Sequence, residues 1–166
     1  MTTTAETSGA EMPRREMPRR AMDADVESLR YVLENCPGYN LSKAYKKIAR
    51  EFEEAFKRTQ LTLPQFGALV NTGVDEPASG SEVARRLGSD VSTVSRTMDI
   101  LERRDLVEET RGEDRRVRMY RLTDAGRAAL AKALVEWEAV QRRIVSELDP
   151  NQWAGTLDML KGLSAD

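Results

Sequence analysis

Apolar residues along this chain recur mostly at steps of three and four, the spacing of helices that bury one stripe. Residues 23–35 place Val26, Leu29 and Leu33 on one side. Pro37 and Gly38 break that pattern, and Asn40 is positioned to cap a helix over residues 40–59. This second stripe holds Leu41, Ala44, Tyr45, Ile48, Phe52, Ala55 and Phe56, with lysines, arginines and glutamates on the remaining surface. Thr62 and Gln65 have capping-box spacing and open a helix through residue 70, with Phe66 and Leu69 inward. Residues 71–77 read as a loop. Ser79 and Glu82 repeat the capping-box spacing before Val83, Ala84 and Leu87. After the turn Gly88-Ser89-Asp90, the apolar positions are Val91, Val94, Met98 and Leu101. Gly88 suits a left-handed helix end, and Asp90 or Ser89 can cap the next helix.

Two short helices joined by so brief a link cross steeply, as in a helix-turn-helix. The face opposite Val94 and Met98 carries Ser92, Thr93, Ser95 and Arg96. Small hydroxyl residues let a helix sit deep in a major groove, and arginine supplies a forked donor that matches guanine. Two strands follow, 106–109 and 117–122, joined by a charged tip. Between Arg111 and Arg121 there are five arginines against two acids, so the tip is basic although the chain is not. Such a loop beside the helix suits a minor groove, whose negative potential draws arginine in. The candidate DNA-facing residues are Ser92, Thr93, Ser95 and Arg96 on the helix and the arginines of the basic loop, which include Arg111, Arg115 and Arg116, with Asp114 pairing with a neighbouring arginine to orient it.

Thr123 then caps a long helix to about residue 148, with Leu130, Leu134, Trp137, Val140, Ile144 and Leu148 along one face. Asp149-Pro150 starts a last helix bearing Trp153, Leu157, Leu160 and Leu163. A 25-residue helix spans ~38 Å, longer than a small domain needs, so its far end must bury its stripe elsewhere. The expectation is a mainly α protein: a winged helix-turn-helix over 61–122 with a small β-hairpin wing. The N-terminal helices over 23–60 and the C-terminal helices over 123–166 would form a dimerisation region. Residues 1–22, with Glu11-Met12-Pro13-Arg14-Arg15 repeated directly at Glu16-Met17-Pro18-Arg19-Arg20, read as a disordered tail.

Several residues together resemble the MarR family of bacterial winged-helix regulators. They are Leu61-Thr62 with Gln65, Thr93-Val94-Ser95-Arg96, Leu101-Glu102 with Leu106-Val107, Asp114-Arg115-Arg116, and Leu122-Thr123-Asp124-Ala125-Gly126. The similarity runs from about residue 40 to the C-terminus. Asp105 stands where the family often has glycine. The resemblance implies that the helix from Val91 enters the major groove, that Asp114 orients Arg116 in the wing, and that a homodimer binds inverted-repeat double-stranded DNA, usually as a repressor. It also implies a small-molecule effector in a crevice that Tyr45, Phe52, Phe66 and Trp137 would line. Some relatives sense peroxide through one cysteine near the N-terminus. That makes Cys36, with Tyr39 and Tyr45 nearby in sequence, the candidate for redox sensing. A winged helix that binds only protein is the alternative to DNA binding.

Composition narrows the chemistry. The chain has no histidine, which removes the commonest general base and the usual zinc ligand. No glycine-rich phosphate loop is present, and the carboxylates fall on charged helix faces. No enzyme activity, cofactor or metal is expected. A formal net charge of −2 argues against indiscriminate coating of nucleic acid but not against a locally basic DNA face. No apolar run approaches the ~20 residues of a membrane span. With one cysteine and no secretory signal, a cytoplasmic protein is expected.

Overall fold

The computed structural model describes residues 24–112 and 116–164. The tail expected over 1–22 and the wing-tip residues Asp114 and Arg115 lie outside the described residues. Contacts divide the chain into two units, Met1–Leu41 and Ser42–Asp166.

In the first unit, helix α1 spans Val26–Asn35. Asp25 caps it, its carboxylate accepting from the Ser28 N–H at 2.8 Å. That contact holds the Asp25 carboxyl below its ordinary value. α1 buries none of its residues, Val26, Leu29 and Leu33 included. Helix α2 (Pro37–Phe56) begins three residues earlier than the sequence suggests. Asn40 is therefore not its N-cap. Pro37 takes the first helical turn, where its missing N–H costs nothing. The Asn40 side-chain amide instead donates back to the Cys36 and Glu34 carbonyls, at 2.9 and 3.3 Å.

In the second unit, α2 buries Phe52 and Phe56 of its expected face, and Ala49 beside it, with Ala55 packed at the edge. Tyr45 is 64% exposed and Ile48 also faces solvent, so the stripe outruns the core that it serves. Helix α3 (Leu63–Val74) has both arms of the capping box. Thr62 Oγ1 accepts from the Gln65 N–H, and Gln65 Oε1 accepts from the Thr62 N–H. It runs four residues beyond the expected end, so residues 71–74 are helix rather than loop. Thr72, fully buried, donates its hydroxyl to the Ala68 carbonyl, and the Asn71 amide donates to the Gly67 carbonyl. Residues that usually favour turns here bond to the preceding turn of their own helix.

A short strand that periodicity cannot reveal comes next, β1 (Ala78–Ser79). Ser79 also caps helix α4 (Gly80–Leu87), its hydroxyl accepting from the Glu82 N–H at 3.1 Å. Helix α5 (Val91–Arg103) follows, then strands β2 (Val107–Arg111) and β3 (Arg118–Leu122). The sheet is antiparallel in the order β1-β3-β2, with Ala78 opposite Tyr120 and Glu109 opposite Tyr120 on the other side. Helix α6 (Asp124–Ser146) is capped by Thr123, whose hydroxyl accepts from the Gly126 N–H at 2.9 Å. Helix α7 (Pro150–Ser164) ends the chain and buries no described residue.

One apolar cluster joins these elements. Val83 of α4, Val94, Met98 and Leu101 of α5, Leu69 of α3, and Val107 and Leu122 of the sheet pack with Phe56 of α2 and Val140 of α6. Phe56 also stacks at a tilt on Phe66, with centroids 4.8 Å apart. Such a core fixes the angle at which α5 is presented, because packed interiors leave few alternative arrangements.

Candidate nucleic-acid interface

The turn into α5 is set by Gly88, whose φ of +58° is a left-handed conformation that glycine adopts without a Cβ clash. The Ser89 N–H donates to the Ala84 carbonyl and the Gly88 N–H to Arg85, which closes the end of α4 within two residues. Asp90 stands at the N-cap of α5, yet its side chain makes no capping hydrogen bond; its backbone carbonyl accepts from the Thr93 and Val94 N–H groups.

Val94, Met98 and Leu101 are buried as their spacing requires. Val91 is not: it is 55% exposed, because it lies in the first turn, beyond the edge of the core. At about 100° per residue, Ser92, Thr93, Ser95 and Arg96 fall within an arc of roughly 160°, opposite the buried three. Ser92, Thr93 and Arg96 are exposed and Ser95 is half-buried. The sequence-expected residues of this helix therefore share one face. The Arg96 side chain has no ion pair or hydrogen bond among the described residues.

The wing is a hairpin with Arg111 opposite Arg118 and Val107 opposite Leu122. Arg111 ends β2, and Arg116 is exposed in the turn two residues before β3. The basic tip is less free than its arginine count suggests. Arg121 is tied to Glu108 at 2.6 Å. Arg118 meets three carboxylates: Nε–Glu109 at 2.6 Å, Nη1–Asp99 at 2.8 Å and Nη2–Glu102 at 3.0 Å. Its Cζ also lies 5.3 Å from the centroid of the Tyr120 ring. The Asp99 carboxylate first, then Glu109, hold this guanidinium charged well above its ordinary range. Sequence reasoning missed this hub, since its partners lie 9, 16 and 19 residues away.

The turn after α5 places Asp105 at φ +56°, the left-handed conformation that glycine would favour there. Aspartate is among the few other residues that adopt it readily. Its carbonyl accepts the Thr123 hydroxyl at 2.5 Å, pinning the start of α6 to the end of α5.

The four aromatics expected around an effector do not come together. Phe52 and Phe66 are core, flanking Phe56. Trp137 is exposed on α6. Tyr45 lines a cavity of about 300 Å³ with Leu63, Leu87, Ser89, Thr93 and Thr97, among others. Cys36 is half-buried at the C-cap of α1, its N–H donating to the Val32 carbonyl at 2.9 Å. No group of residues that could hold a metal ion occurs among the described residues. No described helix is long and apolar enough to cross a membrane.

Comparison with known proteins agrees with this geometry. Residues 59–117 match the model of the MarR family. No curated protein matches the chain. Among solved structures, a transcriptional repressor, CouR, bound to a 23-mer DNA duplex, is 29% identical with a TM-score of 0.75, over 81% of this chain and 96% of that one. The M. tuberculosis transcriptional regulator MosR, in complex with DNA, is 28% identical with a TM-score of 0.70, over 78% and 93%. CouR from Rhodococcus jostii RHA1, bound to p-coumaroyl-CoA, shares the fold at 24% identity and a TM-score of 0.72, over 80% and 94%.

Proposed function

We propose that this chain, which belongs to the MarR family of transcriptional regulators, binds an inverted-repeat operator as a homodimer and represses the genes beside it. The observation that carries this reading is the polar face of α5. Ser92, Thr93 and Arg96 stand exposed on the side away from Val94, Met98 and Leu101. A helix of this kind fits the ~12 Å major groove, with Arg96 donating to a guanine edge and the hydroxyls meeting bases or phosphate. Arg111, Arg115 and Arg116 serve the wing in the adjacent minor groove, and Asp114 orients Arg116.

Exposed apolar side chains support the dimer. α1 offers Val26, Leu29 and Leu33, α6 offers Leu134 and Trp137, and α7 offers Leu160 and Leu163. Apolar faces of this extent mark association surfaces. A two-fold pair sets two α5 helices about 34 Å apart, one turn of DNA, which makes the site an inverted repeat. The test is selection of bound fragments from genomic DNA, read for a palindrome, followed by binding titration of the wild type and Arg96→Ala. A sequence-independent pool of fragments, or an unchanged affinity in Arg96→Ala, would count against the reading.

A small effector is the second part of the proposal. The cavity beside Tyr45 borders Thr93 and Thr97 of α5, and no charged side chain lines it among the described residues. Its size is at the lower end for ligand pockets. We therefore assign it to a small uncharged molecule with one hydrogen-bonding group. Benzamide, but not benzoate, is expected to weaken operator binding at equal concentration; the reverse order would remove this assignment.

A further inference from the structure

Arg118 belongs to neither contact set above, yet its guanidinium ties three elements together. It sits on β3. Nε takes Glu109 of β2, while Nη1 and Nη2 take Asp99 and Glu102 of α5. The planar fork of arginine suits this task, because each nitrogen faces a different carboxylate; an ammonium presents no such fixed directions. Beneath it lies the buried ring of Tyr120, which limits where the stem can go.

The location matters as much as the count. Asp99 stands about two turns beyond Ser92, and Glu102 about two turns beyond Ser95, on the side of α5 that carries the DNA-facing residues. Along the hairpin, the pair Arg111 and Arg118 stands four residues from the core pair Val107 and Leu122. Beyond the core packing of Val107 and Leu122, the Arg118 ion pairs tie the hairpin to α5 by side chains.

From this we infer that Arg118 is a positioning residue for operator binding: by clamping the wing to α5 through Asp99, Glu102 and Glu109, it delivers Arg116 to the DNA in register with Arg96. The inference rests on α5 being the DNA-reading helix.

Two electrostatic effects compete here, and they have opposite signs. Asp99 and Glu102 repel phosphate, so removing their charge alone tightens binding. Removing the clamp loosens it. The pair Asp99→Asn with Glu102→Gln therefore decides between them: a loss of affinity supports the clamp, and a gain overturns it.

The full experiment is operator titration of the whole chain, with melting temperature measured alongside. Arg118→Met is expected to lose about tenfold in affinity while the chain stays folded. Arg116→Ala is expected to weaken the wild type but to add little on top of Arg118→Met, because a displaced wing no longer brings Arg116 to the groove. Fully multiplicative losses, or wild-type affinity in Arg118→Met, would overturn the inference. Where Arg118→Met does not fold, Arg118→Lys is carried through the same cycle. Arg96→Ala separates this inference from the reading beneath it. If Arg96→Ala binds normally, α5 is not the reading helix; if Arg96→Ala loses affinity and Arg118→Met does not, only the clamp is wrong.

Discussion

A Cβ placed on Gly126 would stand 1.9 Å from the carbonyl oxygen of Leu106. The first turn of α6 thus lies directly on the backbone that leaves α5, and only a residue without a side chain permits the approach. The same Leu106 carbonyl accepts the Thr123 N–H at 3.3 Å. Gly126→Ala must push this backbone apart. A cost of about 2 kcal/mol or more is expected, in line with overpacking of a tight site. Urea unfolding measures it, and a loss below ~0.5 kcal/mol would show that the turn yields freely.

Asp105 tests the neighbouring turn from the other side. Its φ of +56° penalises a β-branched residue far more than aspartate. Asp105→Val is expected to cost about 1–2 kcal/mol, and Asp105→Gly to change stability by less than ~0.5 kcal/mol, as relief of strain and gain of unfolded-state entropy offset. Equal losses in both variants would place the cost in a lost contact of the carboxylate.

Arg96 and Arg121 are both exposed arginines of the second unit, but only one is expected to matter for DNA. Arg121 is held by Glu108 at 2.6 Å, whereas Arg96 has no partner among the described residues. Arg96→Ala should cost ~1–3 kcal/mol in operator binding and relax the preference at one base pair. Arg121→Ala should leave both affinity and salt slope close to wild type. A flattened salt slope in Arg121→Ala would mean that the pair opens on DNA and the arginine reaches phosphate.

These contrasts show what was legible in the sequence. Val94, Met98 and Leu101 were readable because one core inside the same unit buries them, so helical period and burial coincide. Val91 fits the same period but lies past the core's edge, which periodicity cannot see. Residues 71–74 read as loop because Asn, Thr and Gly favour turns, yet Asn71 and Thr72 satisfy themselves within α3. β1 has two residues, too few for any alternation. The arginine count of the wing was visible, but the commitment of Arg118 and Arg121 to carboxylates was not, since those partners meet only after the hairpin and α5 are placed.

Alkaline pH probes the core through Tyr120. Burial raises its phenol above the ordinary value near 10, partly opposed by the Arg118 charge. The folded state therefore keeps this proton when the unfolded chain has lost it. The stabilising contribution is complete below about pH 10 and disappears as the pH climbs through the higher folded value. The urea midpoint should fall above about pH 10, and Tyr120→Phe should fall less steeply. Parallel curves for the two proteins would assign the fall to other groups.

Thr93 stands on the exposed side of α5 and also borders the cavity beside Tyr45. If the cavity takes the proposed effector and α5 reads DNA, the signal has almost no distance to travel, since both surfaces share one turn of one helix. Evolution then has little room to retune sensitivity and target choice separately at that position, and a change of inducer should tend to arrive together with a change of promoter.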